Sequence, residues 1–257
     1  MAASGAPTFA AAVDCGGTKV SSALFTVDGT MFCRDKAALD RQGPGRAAGQ
    51  VVRTIAELEE AARAEGGRIL AAAVCVPGIV YKKTGLVWAP NIPGWDHYPL
   101  RDRLGGERSF PVLIESDRAA YVSGEAWCGA ARGAKDVVFL AVGTGIGAGI
   151  LADGRVLRGA GDISGAVGWF ALDPDFKPEY AETGCFEAEA SGSAVARRAR
   201  RLLDEGRPSS MRELAGGRPD AVTAETVAAA ARAGDSLALE VVAATASYLA
   251  MGIANIV

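Results

Sequence analysis

Two glycine-rich turns and one carboxylate are the residues whose types and spacing could do chemistry. Asp14-Cys15-Gly16-Gly17-Thr18-Lys19 follows an apolar run, and Gly143-Thr144-Gly145-Ile146-Gly147 follows another. Adjacent glycines leave backbone N–H groups uncovered, so a phosphate oxygen can approach them closely. In the first turn the Thr18 hydroxyl and the Lys19 ammonium add donors, and Asp14 at the strand end can hold Mg²⁺ through water. Taken alone, that turn is equally readable as a tight hairpin. The second turn is no P-loop, because no Gly-Lys-Ser/Thr follows, and no dinucleotide fingerprint, because a strand rather than a helix continues from it. Two such turns in one chain point to a phosphate clamp. Between them lies Glu115-Ser116-Asp117, with Asp117 at the predicted start of a helix, placed to accept a proton from a substrate hydroxyl. The competing reading of Asp117 is a helix N-cap, a position that Asp favours.

The elements that must position these residues follow from periodicity. Thr8–Val13 and Val20–Val27 read as strands, Asp28-Gly29 is a hairpin signal, and a third strand runs over Met31–Ala38. Helical spacing over Gly45–Glu65 places Val51, Val52, Ile55, Leu58 and Ala61 on one face. Ile69–Val76 is a buried strand stopped by Pro77-Gly78, Val112–Glu115 is a short strand, and Asp117–Ala130 is a helix. Val137–Val142 is again a buried strand, and Asp153-Gly154 is a second hairpin signal. Beyond Glu187 the pattern is helical over Ser193–Asp204, Thr223–Gly234 and Ser236–Val257, with a Gly-, Pro- and Ser-rich loop over Glu205–Pro219. A strand, a Gly/Thr turn and an Asp-Gly hairpin thus occur near residue 14 and recur near residue 144. This echo predicts an α/β fold of two similar halves, residues 9–120 and 121–257, with a cleft between them.

Composition narrows the partners. The chain has 257 residues, is 49% hydrophobic and 22% charged, and carries a formal net charge of −3. Neither a basic tail nor a basic patch indicates nucleic acid, and the run Arg197, Arg198, Arg200 and Arg201 reads as a solvated helix face. Met1–Thr8 lacks a basic region followed by a long apolar one, and no stretch reaches the roughly 18 unbroken apolar residues that would span a bilayer. Five widely spaced cysteines without a CxxC fit free thiols in a reducing cytoplasm. The single histidine, His97, leaves little scope for a Ser-His-Asp triad or multi-His zinc chemistry.

With the motifs in this order, the sequence resembles the bacterial ROK sugar-kinase family, within the actin-like ATPase superfamily, over roughly residues 9 to 257. The residues that carry the resemblance are Asp14-x-Gly-Gly-Thr-Lys19, Val76-Pro77-Gly78, Pro90-Asn91-Ile92-Pro93-Gly94-Trp95, Asp117 with Ala119-Ala120 and Gly124-Glu125, and Gly143–Gly147. It implies two ribonuclease-H-like domains, ATP with Mg²⁺ in the central cleft, a homodimer, and Asp117 as catalytic base. It also implies that Asn91 and Glu187 contact sugar hydroxyls, although Asn91 in Asn-Ile-Pro-Gly can equally be a turn former. Regulators of this family carry an N-terminal helix-turn-helix, for which the dozen or so residues before Asp14 are too few. Where family members continue with a strand and a Gly-Gly turn that touches adenosine, this chain stops in an apolar helix, so the second domain is expected to be truncated.

The departures concern the sugar side. Ser116 stands where the family has a sugar-contacting Asn, and Ala166 and Trp169 stand where it has Glu and His in Gly-Glu-Ile/Val-Gly-His. Trp169 either stacks on a sugar face or an apolar substituent, or is a core residue. The family's Cys-x-Cys-Gly-x-x-Gly-Cys-x-Glu is reduced to Thr183-Gly184-Cys185-Phe186-Glu187, and one thiolate cannot make a site that needs about four N/S ligands, so no zinc is expected. The expected activity is ATP-dependent phosphorylation of a hydroxyl on a hexose, amino sugar or modified sugar, with substrate-side residues Asn91, Ser116, Asp117, Trp169 and Glu187. The nucleotide-side residues are Asp14, Gly16, Gly17, Thr18, Lys19, Gly143, Thr144 and Gly145. The alternative is a sugar-binding pseudokinase or a non-catalytic sugar sensor of the same family.

Overall fold

Alternation of buried and open residues makes Thr8–Cys15 a strand, β1, that turns Phe9, Ala11, Val13 and Cys15 to one side. In the computed structural model residues 6–106 and 108–257 are described; residues 1–5, part of the segment read for a leader, together with Glu107 and the Pro44 side chain, lie outside. β2 (Lys19–Thr26) and β3 (Met31–Ala38) follow antiparallel to β1, and Gly29 takes the left-handed conformation that their hairpin needs. α1 (Pro44–Ala64) then crosses over to β4 (Arg68–Val76), which lies parallel to β1 on its other side. β5 (Ile79–Val80) and β6 (Val87–Trp88) form a small hairpin, α2 (Leu100–Leu104) follows, and β7 (Val112–Ser116) adds parallel to β4. The five-stranded sheet has the order β3-β2-β1-β4-β7.

α1 lays Ala47, Ala48, Val51, Ile55, Leu58 and Ala62 on the inward side of this sheet, all buried. Each large aliphatic side chain so buried contributes on the order of 2 kcal/mol. Against the opposite side packs α3 (Asp117–Cys128), which meets β4 and β7; its Trp127 ring sits edge-on to Phe25 and above Gly29.

β8 (Val137–Val142) and β9 (Ile146–Ala152) come next, and β10 (Arg155–Val156) pairs antiparallel with the end of β9 through Asp153 and Gly154. Both turn residues have positive φ, 49° and 73°, as a two-residue type I′ hairpin requires. Six helices follow: α4 (Tyr180–Thr183), α5 (Cys185–Ala190), α6 (Gly192–Asp204), α7 (Met211–Leu214), α8 (Ala224–Arg232) and α9 (Ser236–Ile256). Ser191, Thr223 and Asp235 cap α6, α8 and α9 through their side-chain oxygens. Leu202, Leu203, Met211, Val227, Leu237 and Val241 form their common core.

Contacts divide the chain into two compact units, one running to Val137 with Ile150–Ser164, the other comprising Val138–Gly149 and Gly165–Val257. Residue 120, near which the sequence suggests a boundary, lies within α3, which stays with the first unit because it packs on β4 and β7.

Two local expectations need correction. The loop expected over Glu205–Pro219 contains α7, because Met211 is fully buried and Asp235 accepts hydrogen bonds from Ser209 and Ser210 that pin the segment. The arginine run is not simply solvated: Arg197 donates to the Ala188 carbonyl, Arg198 to Glu189, and Arg200 twice to the Val222 carbonyl, at 2.9 and 2.7 Å. Arg197 and Arg201 stay exposed, Arg201 paired with Glu205 one turn on. α9 has 21 residues, and an 18-residue window of it has a mean hydropathy of 1.7, enough by length and composition to cross a membrane, although Glu240 keeps the apolar run from being unbroken. Here it turns Leu237, Ala238, Val241, Thr245 and Gly252 into the second unit.

Candidate functional site

Parallel strands end together, and that is what gathers residues about a hundred positions apart. Across β1, β4 and β7 the register aligns Asp14 with Cys75 and Cys75 with Glu115, followed by Val76 with Ser116. The turn after β1 (Gly16–Thr18), the Pro77-Gly78 turn after β4 and the entry from β7 into α3 at Asp117 therefore share one sheet end, the usual place for ligands in such sheets. Gly78 has a φ of 95°, and a Cβ there would stand 2.1 Å from the Trp88 carbonyl oxygen, so only glycine serves.

Asp117 is not the cap of α3. Ser116, in extended conformation, is the cap, its Oγ accepting from the Ala119 N–H at 3.3 Å. Asp117 is thereby the first helical residue, and its Oδ1 accepts from the Arg118 N–H at 2.7 Å. Burial raises the Asp117 pKa, an effect that the Arg118 backbone bond and guanidinium oppose and the Asp14 charge adds to. Asp14 is likewise raised by burial. Two carboxylates thus face one region, each harder to ionise than in water. Cys75 lies between Asp14 and Glu115 in the register row, and burial followed by the charges of Asp14, Asp117 and Glu115 pushes its thiol up to about 12. It is an inert thiol at neutral pH.

Beside this pair, Glu115 is held in the opposite sense. Burial alone would raise its pKa, but hydrogen bonds from Arg158 at 2.6 Å and Lys82 at 2.9 Å outweigh it and lower the carboxyl. Lys82 also donates to the Ile114 carbonyl at 2.6 Å, and the Arg118 guanidinium donates to the Gly78 carbonyl at 3.1 Å. Sequence reasoning missed Lys82, Arg118 and Arg158; isolated basic residues in loops and helix starts carry no pattern to find them by.

Asn91 is both a turn former and a neighbour of the first phosphate turn. The Ile92 N–H donates to the Ala89 carbonyl at 2.9 Å across it, and buried Trp95, stacked on Tyr98 at 5.1 Å, anchors the loop. A Cβ on Gly17 would come within 2.9 Å of the Asn91 Cβ, so the glycine is what lets the two segments meet. Gly16 closes the turn with its N–H on the Lys19 carbonyl at 2.9 Å, while Thr18 and Lys19 remain open to solvent.

In the second unit the start of α6 supports the other turn. The Gly192 N–H donates to the Gly143 carbonyl at 2.8 Å, and the Ser193 Oγ donates to the Thr144 carbonyl at 3.0 Å. Glu187 accepts from the Ile146 N–H at 2.7 Å, and a Cβ on Gly145 would stand 2.6 Å from its Oε2. Burial raises the Glu187 pKa. Trp169 is 55% exposed, which removes its reading as a core residue. A recess of about 300 Å³ opens beside Thr144, lined by Gly192, Ser193, Arg200, Thr223 and Glu225.

Among the described residues no group of three or more His, Cys, Asp and Glu could hold a metal ion. Asp14 and Asp117 offer hard oxygen donors that share one electrostatic environment. That donor set fits Mg²⁺, which keeps several waters and is bound by one or two carboxylates together with phosphates. It does not fit a closed zinc site.

Residues 10–257 match the ROK family. A glucokinase of Halalkalibacterium halodurans is 32% identical over 252 residues, 95% of this chain and 74% of that protein. A ROK family glucokinase from Streptomyces griseus, solved in complex with glucose and AMPPNP, superposes with a TM-score of 0.79 at 27% identity, covering 96% of this chain and 78% of that one. A ROK family transcriptional regulator, a homologue of the E. coli MLC protein, superposes with a TM-score of 0.85 at 25% identity, over 97% of this chain and 62% of that one.

Proposed function

This chain belongs to the ROK family and has its two-domain actin-like ATPase fold, and on that premise we propose that it is a cytoplasmic, homodimeric kinase that transfers the γ-phosphoryl group of ATP to a hydroxyl of a sugar or modified sugar. The observation that carries the reading is the state of Asp117. Because Ser116 caps α3, the Asp117 carboxylate gives the helix end a single bond, from the Arg118 N–H to Oδ1, and its raised pKa makes it a better proton acceptor than a solvated aspartate.

Phosphoryl transfer depends mostly on positioning and on neutralising charge. Asp117 takes the proton of the attacking hydroxyl. Asn91 and Ser116 are sugar contacts in this reading, as are Trp169 and Glu187, Trp169 supplying a flat apolar face where the family has histidine. Gly16, Gly17, Thr18 and Lys19 offer N–H, hydroxyl and ammonium donors to phosphate oxygens, as do the Gly143, Thr144 and Gly145 backbone groups. The nucleoside extends into the recess beside Thr144. Asp14 holds Mg²⁺ through water; when bound, the ion neutralises phosphate charge.

Ala166 and Trp169 remove a carboxylate and an imidazole, and charge-assisted hydrogen bonds of that kind are worth about 1.5–3 kcal/mol each. Unmodified glucose is therefore the weaker substrate in this reading, and a sugar with an apolar or N-acyl substituent the stronger. The test is ATP-dependent phosphorylation across a panel of hexoses, amino sugars and N-acyl sugars. Turnover with at least one member is expected, and turnover with none would sink the kinase reading. A second reading, a sugar sensor without catalysis, is favoured by the likeness to the regulator. It predicts calorimetric binding of a panel sugar with no ADP formed.

A further inference from the structure

Glu189 is almost wholly enclosed, its side chain 10% exposed, yet it is ionised and surrounded by partners. Lys177 donates to its Oε1 at 2.6 Å, Arg198 to its Oε2 at 2.5 Å, and the Tyr180 hydroxyl also donates to Oε1. Lys177 reaches the Asp173 carboxylate at 3.2 Å, and the Tyr248 hydroxyl donates to the same oxygen at 3.1 Å. Arg198 further donates to Thr245 at 3.2 Å. Two carboxylates, two cations and two phenols thus tie the segment before α4 to α4, α5, α6 and α9. A buried ionic group of this kind is tolerated only when its partners are all in place.

Two residues before Glu189 on the same short helix is Glu187, whose seat is narrow. Its Oε2 bonds the Ile146 N–H at 2.7 Å, and a Cβ on Gly145 or Gly168 would lie 2.6 or 3.2 Å from that oxygen. A small movement of α5 breaks that bond. We propose that Glu189, its three direct partners Lys177, Tyr180 and Arg198, and Asp173 and Tyr248 behind them are a metal-free lock, a set of positioning residues that hold α5, and through it Glu187, against the Gly145–Ile146 turn.

The lock includes Tyr180, one of the positions that the ROK family's cysteine motif fills with a thiolate. Counted back from Glu187 with that motif's spacing, the thiolate positions are Pro178, Tyr180 and Cys185, and the histidine position is Trp169. Tyr180 and Cys185 pack together with Ala188, so the two positions do converge, but they bring a phenol and one thiol. That set does not bind zinc, and Tyr180 instead spends its hydroxyl on Glu189.

The test is native-state hydrogen exchange of the full chain, read at the Ile146 amide, with melting temperature alongside. It does not involve phosphoryl transfer, so its failure and that of the kinase reading are separate results. Glu189→Gln is expected to speed exchange at Ile146 about 10-fold and to lower Tm by about 10 °C. The control is Arg207→Ala, which breaks an exposed bidentate pair with Glu240 in the same unit, and should leave Ile146 within about 2-fold. If Glu189→Gln does not fold, Tyr248→Phe, which removes a single hydroxyl, is expected to speed Ile146 exchange about 3-fold. Equal exchange at Ile146 in the lock variant and the control overturns the proposal. So does a Tm that falls on dialysis against a chelator and returns with zinc; an unchanged Tm supports it.

Discussion

β1 and β8 carry the same local message, an apolar strand running into a Gly-Thr turn, but their surroundings differ. β1 pairs with β2 on one side and β4 on the other, and alternate residues from Phe9 to Cys15 are buried. β8 is an edge strand with none of its residues buried; Val138 and Val142 are 39% and 46% exposed. The difference teaches where rigidity comes from. The turn after β1 rests on three strands that end in register, whereas the turn after β8 is braced from outside, by the start of α6 and by Glu187. In this reading the residues that move protons and hold Mg²⁺ lie on the doubly flanked strand and its parallel neighbours.

The largest effect should come from Asp117. Asp117→Asn is expected to lower kcat by about 10²–10⁴-fold while KM for the sugar stays within a few-fold. Its Tm should be unchanged or higher. The folded pKa of Asp117 lies above the unfolded one, so the stability it contributes is present at low pH and lost as pH rises through the folded value. At neutral pH the charge is a liability that amide substitution removes. A fully active variant would take Asp117 out of the chemistry and, with it, the division of labour between the two sheets.

The glycines sharpen the same contrast at smaller magnitude. Gly17→Ala forces a Cβ to within 2.9 Å of the Asn91 Cβ and 3.2 Å of its carbonyl oxygen, both on a loop fixed by buried Trp95. Misplacing the phosphate turn in this way is expected to cost about 10²-fold in kcat/KM. Gly143→Ala meets nothing within 4 Å, so its stability should stay within about 0.5 kcal/mol of the parent. A loss of ATP affinity in that variant without a change in Tm would mean that phosphate approaches Gly143 closely. Equal activity losses at the two positions, with equal Tm losses, would show that the edge strand is as stiff as the flanked one.

Much of this arrangement was legible before the fold. The strands of the first sheet, α1 with Val51, Ile55 and Leu58 inward, and both Asp-Gly hairpins follow from periodicity and turn chemistry, which are local. The cap of α3 was not legible, because Ser116 and Asp117 are both good caps and the choice is made by where β7 releases the chain. The partners of Arg197, Arg198 and Arg200 were hidden for a related reason: a basic helix face looks solvated until the carbonyls and carboxylates that meet it are known. The lock around Glu189 gathers residues from 173 to 248, and apart from Tyr180 none of them falls at a motif position.

The smallest predicted effect separates the two regions by charge. Glu115 in the first unit has a lowered pKa, so the stability it contributes is present above its unfolded value of about 4.5 and is lost as pH falls through the folded value. Glu187 in the second unit has a raised pKa, so its contribution runs the other way, lost as pH rises. Glu115→Gln should therefore cost about 1 kcal/mol at pH 7, a modest figure because Lys82 and Arg158 are 35% and 41% exposed and can turn to water. That cost should fade as pH is lowered below 4.5. Glu187→Gln keeps an acceptor for the Ile146 N–H and should be neutral or stabilising at pH 7, with its advantage shrinking on acidification. Thermal melts of both variants between pH 3 and pH 8 decide it. Parallel pH curves would mean that the two carboxylates sense the same environment, and the contrast between a floor neutralised by cations and a turn braced by a backbone hydrogen bond would fail.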